Sequence, residues 1–431
     1  MNIIKVLSLS SIMLGISFAT RFFITLILAR FLSSDQLGIY SWSVTVFGMA
    51  NLLVNFGLDY LLIRKIPQYV HSELGLVESV INHTKKQVNI NTMIIFLVIV
   101  PISYFAVMFF DNLGQYYLEL NVIIFALPFA GYVLIYSTSL RAFEHSLFGQ
   151  FIESILQSSL LFIMIAIAYT FFENLIAENN KTFLLVIIFV TSWVLSYLTA
   201  KYLYKKNIKL NEFSEASERD RKLWKKDSIS ITSGLFGGIL LSRSDIFLLA
   251  FLVSPSDVGA YFLIMRITEI FLFFSTISYY VWAGEMSNQF QRKNIIEVQS
   301  ILNKMAFVCF LTSLTIAPIM WFYAKDIILF ISPEYAGYVY LLKFSIVIFF
   351  IKGAFGLLPQ VSLLIGEQQF IAKLNWLFGL IFFSMILAIV PFYGLKGCLF
   401  SFAFCHIAYL SILYINLYRK HKLNFLPVLV R

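Results

Sequence analysis

Six ionisable side chains stand deep inside apolar stretches of membrane-spanning length: the cations Arg21, Arg243, Arg266 and Lys352 and the carboxylates Asp245 and Glu269. A charge in hydrocarbon is costly enough that it normally faces a protein interior or a watery cavity, so each marks a candidate site. Four positive charges against two negative ones leave a surplus that asks for an anion, and a guanidinium fork suits phosphate through paired hydrogen bonds. The carboxylates Asp59, Asp245 and Glu269 offer a different chemistry, binding a proton or a cation, and Glu269 ranks first for its depth. The same depths also permit Arg243, Asp245, Arg266 and Glu269 to form an ion-pair network that only fixes two neighbouring helices. No catalytic or metal-ligating cluster emerges. Cys309, Cys398 and Cys405 lie within apolar runs without a metal or disulfide spacing, and read as small hydrophobes.

The elements that position these charges follow from composition. With 60% hydrophobic and 13% charged residues, the chain is a polytopic membrane protein and no ordinary soluble domain. Long unbroken apolar runs indicate helices, and no barrel. Twelve spans are expected near residues 8–29, 40–63, 88–110, 120–141, 151–172, 182–203, 228–252, 258–282, 303–323, 341–365, 371–393 and 397–418. The first span reads as an anchor, with no cleavable signal pattern. Of 32 Lys and Arg residues, 23 fall on the side that holds both termini, 4 on the other side and 5 within spans. Both termini are therefore expected to be cytoplasmic. The net charge of +9 follows from this topology and anionic headgroups, and nucleic acid is not an expected partner.

The polar stretch from Tyr204 to Asp227 divides the spans six and six, predicting an N-terminal lobe over 1–204, a cytoplasmic connector over 205–227 and a C-terminal lobe over 228–431. A shift of 221 residues aligns Ala29 with Ala250, Ser33 with Ser254, Gly38 with Gly259 and Tyr40 with Tyr261, while Pro101 and Pro318 fall at equivalent depths. Six spans per half make these parallel repeats about an axis along the membrane normal, an arrangement that places a substrate between the halves.

At a helical rise of about 1.5 Å per residue, Arg21 lies ~20 Å from the cytoplasmic end of its span. Arg243, Asp245, Arg266, Glu269 and Lys352 lie ~10–16 Å from the opposite ends of theirs, so all six share a layer from the midplane outward. Arg266, Glu269, Phe273, Thr276 and Tyr280 fall on one face of the eighth span. Gly48, Asn51, Asn55 and Asp59 form a stripe on the second, and Ser10, Ser17 and Arg21 on the first. A water-filled cleft would supply the polar neighbour such stripes need. Glu153 and Gln157 are placed to line the cytoplasmic mouth, while His406 reads as a hydrogen-bonded interior histidine. Tyr132 and Tyr136 suit either stacking on a sugar or core packing. Pro128, Pro359 and the pair Gly353 and Gly356 predict bends in the fourth and tenth spans, the latter beside Lys352.

Several stretches carry a family likeness: the turn from Ala29 to Ser41, the exit of the second span from Phe56 to Arg64, the stretch from Leu363 to Glu367, Asn375, and the turn from Pro391 to Gly397. Their order resembles the Wzx-type polysaccharide (O-antigen) flippases of the multidrug/oligosaccharidyl-lipid/polysaccharide exporter superfamily, over nearly the whole chain. The resemblance implies an all-α fold like that of the multidrug and toxin extrusion (MATE) antiporters, with two six-helix lobes. It implies transport, not enzyme chemistry: an undecaprenyl-diphosphate-linked oligosaccharide moved across the bacterial inner membrane in lipopolysaccharide or related surface polysaccharide biosynthesis. No cofactor is implied beyond a proton or sodium gradient. The implied partners are the lipid-linked oligosaccharide, membrane lipids, a polysaccharide polymerase and a chain-length regulator. A cation-coupled multidrug exporter on the same fold is the alternative, although it would want an acidic lumen. A membrane glycosyltransferase or polymerase would need a sizeable loop with carboxylates outside the membrane, which the chain lacks.

Overall fold

The computed structural model describes residues 3–109, 111–143, 145–172, 180–208 and 214–425. Among them there are helices and no strand. Nine helices are long and apolar enough to cross a membrane, or ten when the bent pair Pro255–Thr268 and Ile270–Gln291 is taken as one span. The chain is a multi-pass membrane protein, whose backbone polar groups are satisfied within helices because hydrocarbon offers no partner. The expected twelve spans exceed this count in two places. Glu218–Leu252 is a 35-residue helix that starts ten residues before the expected span and carries the charged run there. Gln368–His421 spans 54 residues, but Gly394 (φ 55°, ψ −140°) is not helical. Asn375 pairs with Tyr409, Phe382 with Phe402, and Met385 with Cys405. The two arms on either side of Gly394 therefore run antiparallel as a hairpin.

Two compact units divide the chain, Ile12–Leu235 and Phe236–Arg431, the latter grouped with Met1–Ser11. The first contains most of α1 (Ile3–Phe31), then α2 (Ser34–Asn55), α3 (Leu58–Ser72), α4 (Leu74–Phe109), α5 (Tyr117–Ile123), α6 (Leu127–Ala142), α7 (Ser146–Gln150), α8 (Gln157–Phe172) and α9 (Lys181–Asn207). α10 (Glu218–Leu252) passes from this unit into the second, which holds α11 (Pro255–Thr268), α12 (Ile270–Gln291), α13 (Ile295–Phe322), α14 (Ala324–Ile331), α15 (Val339–Phe355), α16 (Leu358–Leu364) and the α17 hairpin (Gln368–His421). Residues 209–213 of the expected connector lie outside the described residues. Its described part packs against the first unit, where Trp224 is buried and donates to the Tyr69 hydroxyl at 3.0 Å.

The aligned positions of the two halves take matching local structure. Ser33 caps α2 by accepting from the Gln36 amide, and Ser254 caps α11 by accepting from the Asp257 amide, 221 residues on in both atoms of the pair. A serine oxygen at this position satisfies one of the amides that a helix start leaves unpaired. Tyr40 and Tyr261 are both buried, as are Ala29 and Ala250. α6 packs against α2, α3, α4 and α9, and α15 packs against α11, α12, α13 and the α17 hairpin, so each forms the hub of its unit. Each hub segment also breaks at a Leu-Pro pair, before α6 at Leu127–Pro128 and between α15 and α16 at Leu358–Pro359. Proline removes an amide donor and clashes with the preceding turn, which accounts for breaks at these places.

Candidate functional site

Five of the seven candidate residues belong to the second unit, and the structure brings them within electrostatic reach of one another. α10 carries Arg243 and Asp245, α11 carries Arg266, Glu269 is the residue between α11 and α12, and α15 carries Lys352. Asp245 is 3% exposed. Its Oδ2 accepts from the Tyr261 hydroxyl at 2.9 Å and its Oδ1 from the Ile246 amide at 2.8 Å. Both oxygens are thus satisfied without an arginine, which is how a buried carboxylate avoids the cost of an unpaired charge. Arg266 Nη1 meets Glu269 Oε2 at 2.8 Å, one turn apart, and its guanidinium also lies over Phe262 at 5.1 Å. Lys352 Nζ sits 4.5 Å from the Phe402 ring centroid and 5.0 Å from that of Phe349, two rings stacked on each other.

These contacts sort the set. The network expected among Arg243, Asp245, Arg266 and Glu269 contracts to one ion pair, Arg266 with Glu269. Arg243 is exposed and makes neither an ion pair nor a hydrogen bond among the described residues, and Lys352 makes no ion pair among them. Two cations are therefore left without a direct carboxylate partner in this layer. Asp245 and Glu269 answer them only at longer range.

The eighth span is not the straight helix that an unbroken charged face would need. It bends by 42° at Glu269, between α11 and α12. Glu269 still donates its amide to Met265, but its carbonyl accepts from Leu272, a three-residue turn that tightens the backbone at the bend. The face shared by Arg266 and Glu269 therefore does not continue straight through Phe273, Thr276 and Tyr280.

Arg21 and Asp59 belong to the first unit. Arg21 is exposed on α1 and its carbonyl accepts from the Thr25 hydroxyl at 3.1 Å. Asp59 is separated from its expected stripe, because α2 ends at Asn55 and the chain turns through the left-handed residues Phe56 and Gly57 before α3. Asn51 and Asn55 remain paired on α2, while Asp59 interacts electrostatically with Arg141. Arg141 is bound to Glu153 at 2.8 Å, and Glu153 lies in a π-helical turn from Phe151 to Leu156. Such turns are often found at functional sites. Arg141 reads from sequence as a loop charge, so this group of Asp59, Arg141 and Glu153 was legible only in the irregular polar positions of Glu153 and Gln157. Gln157 donates to Ser192 at 3.2 Å. His406 is buried, with Nδ1 3.0 Å from the Phe402 carbonyl and its ring 4.0 Å from that of Phe402.

Residues 4–282 match the family described as polysaccharide biosynthesis protein. The chain belongs to that family. Solved structures show the same fold at low identity. An inward-facing MATE family multidrug resistance transporter of the MOP superfamily superimposes with a TM-score of 0.76 at 14% identity, covering 93% of each chain. The MATE multidrug transporter DinF-BH gives 0.71 at 14% identity, over 99% of this chain and 97% of that one. A MOP superfamily transporter from Pyrococcus furiosus gives 0.67 at 14% identity, over 95% and 94%. No curated protein matches the sequence.

Proposed function

We propose that this member of the polysaccharide biosynthesis family is a flippase. It translocates an oligosaccharide repeat unit on undecaprenyl diphosphate from the cytoplasmic to the periplasmic leaflet of the bacterial inner membrane, by ion-coupled alternating access. The observation that carries the reading is the pair of cations, Arg243 and Lys352, without an ion-pair partner among the described residues of a membrane-embedded layer. Carboxylates reach these cations only at longer range, which at membrane depth favours a visiting anion, and a lipid diphosphate carries the required charge. Arg21 and Arg266 complete the cationic set, with Arg266 held by Glu269. Asp245, Glu269 and Asp59 are the candidates for coupling to a proton or sodium gradient. Counting the α17 hairpin as two spans, the bent pair as one and α10 as one supports twelve spans in two lobes, an even number that keeps both termini on one side, the cytoplasmic one by the Lys and Arg distribution. The implied partners are a polysaccharide polymerase and a chain-length regulator.

The MATE likeness favours one other reading, a cation-coupled multidrug exporter. The Pyrococcus furiosus structure is described as having a binding pocket of reverse polarity that suggests a different function, so this fold does not dictate cargo charge. Here the described cluster holds three cations against two carboxylates, which favours an anion. Deleting the gene should trap lipid-linked units in the cytoplasmic leaflet and halt surface polysaccharide. Unchanged polymer amount and length, or drug sensitivity as the sole phenotype, would overturn the flippase. Within it, Arg243→Ala should abolish transport and Arg243→Lys retain part. Full activity in both variants removes Arg243 from the site.

A further inference from the structure

A second cation-rich place lies in the first unit, far along the chain from the cluster above. The start of α4 and the ends of α6 and α9 bring four tyrosines together. Tyr136 lies 6.3 Å from Tyr132, 6.2 Å from Tyr197 and 5.0 Å from Tyr204, measured between ring centroids. Tyr136 is the buried floor, and the other three rings are half-buried. The hydroxyl of Tyr132 donates to Asn89 at 2.9 Å, whereas those of Tyr136, Tyr197 and Tyr204 have no hydrogen-bond partner among the described residues.

Lys85 enters this group with its Nζ 5.4 Å from the Tyr136 ring and 5.8 Å from the Tyr204 ring, and Lys201 Nζ lies 5.6 Å from that of Tyr197. Neither lysine forms an ion pair among the described residues. Lys85 feels Lys201 and Lys205 against the single carboxylate Glu78. Tyrosines alone would be packing. Half-buried lysines gathered on them with a positive surplus and free hydroxyls are a different matter, because burying such charges without an anion costs stability.

We infer that Lys85 and Lys201, with Tyr136, Tyr197 and Tyr204, form a binding subsite for a glycosyl diphosphate, the lysines taking phosphate and the rings stacking on the sugar. One face of a pyranose is lined with C–H groups that pack against an aromatic ring, while its hydroxyls bond to tyrosine oxygens. The inference rests on the flippase reading, under which the start of α4 and the ends of α6 and α9 lie on the cytoplasmic side. The subsite would then receive cargo before the membrane layer of Arg243 and Lys352 does.

The test uses the full chain in lipid nanodiscs with two probes, farnesyl diphosphate and farnesyl diphosphate carrying one N-acetylglucosamine. Lys85→Gln should weaken both probes about tenfold, the share of a charge-assisted hydrogen bond, and Lys85→Arg should bind close to wild type. Tyr204→Leu should weaken only the glycosylated probe, by roughly fivefold. Wild-type affinity of Lys85→Gln and Tyr204→Leu for both probes overturns the subsite and leaves the flippase standing. A folded wild-type chain that binds neither probe overturns the flippase reading, and the subsite with it. Acetylation of Lys85 in the unaltered protein gives a readout independent of variant folding: the glycosylated probe should slow it, and an unchanged rate refutes the site.

Discussion

Neutralising Glu269 should damage the protein more than neutralising Glu269 and Arg266 together. Their ion pair spans one turn at the 42° bend, with a separation of 2.8 Å and side chains 24% and 37% exposed for Arg266 and Glu269. Two unit charges about 4 Å apart attract by roughly 4 kcal/mol at an effective dielectric near 20. Partial exposure and the entropy of holding both side chains reduce this, and exposed pairs measure about 0.2–1 kcal/mol. A coupling of about 1–2 kcal/mol is expected for this half-exposed pair, between that range and the ~3–5 kcal/mol lost on breaking a buried pair. Arg243 raises the stake, since it lies within electrostatic reach of Arg266 and Glu269. Losing the carboxylate alone leaves two arginines facing each other. A double-mutant cycle of Arg266→Gln and Glu269→Gln, read by equilibrium unfolding in nanodiscs, isolates the coupling. Additivity within about 0.5 kcal/mol would refute the reasoning and leave Glu269 free for ion coupling alone.

Gly237→Ala should destabilise the second unit by about 1–3 kcal/mol through overpacking, since an added Cβ would lie 2.6 Å from the Trp376 amide nitrogen; unfolding at the wild-type midpoint would contradict this. Gly57→Ala should cost about 1 kcal/mol, because Gly57 holds φ 70° between α2 and α3, where a side chain is strained; the same unfolding measurement decides it. At the start of α17, Glu367 accepts from Lys420 at 2.6 Å and His421 at 2.8 Å, both at the far end of the hairpin, and Lys420 above all holds its carboxyl below the ordinary 4.5. A depressed folded value stabilises above the unfolded value and is lost as pH falls through the folded one. The thermal stability of the wild type over Glu367→Gln should therefore persist near neutral pH and shrink only as pH falls below the ordinary carboxylate value of 4.5; a gap that closes between pH 7 and 5 would exclude Glu367 as its source.

Where the chain states its structure locally, the sequence is informative. Ser33 and Ser254 announce helix starts because a cap needs only a serine oxygen three residues before an amide. Pro128 and Pro359 announce breaks because a missing N–H acts wherever the ring sits. Apolar runs report spans, and in α17 the expected break between 393 and 397 falls where Gly394 leaves the helical conformation and the chain reverses. The charged layer was legible as a list of residues and not as a set of partners. Asp245 is satisfied by Tyr261, which periodicity shows only as a repeat marker. The bend at Glu269 has neither proline nor glycine at its centre, so no residue type announces it in the sequence.

The breaks in these helices and the charges occur together. α15 breaks after Phe355, so the Gly353 carbonyl faces the break, and the Ser275 hydroxyl from α12 donates to it at 2.8 Å. A Cβ on Gly353 would run into the Ser313 hydroxyl of α13 and lie 3.1 Å from Phe271 of α12, so glycine allows both helices to approach α15 here. Each break removes backbone hydrogen bonds that hydrocarbon cannot replace, so broken helices persist only where polar groups surround them. The polar surroundings that satisfy the carbonyls at the breaks also suit ionised side chains. Glu269 at one break and Lys352 beside the other are within electrostatic reach. Straightening either segment would change the distance between them, so under the proposed function an anion at Lys352 and a proton or cation at Glu269 would act on the same pair of bends. Under that reading, coupling between cargo and ion would need no further element than these two segments and the serine that joins them.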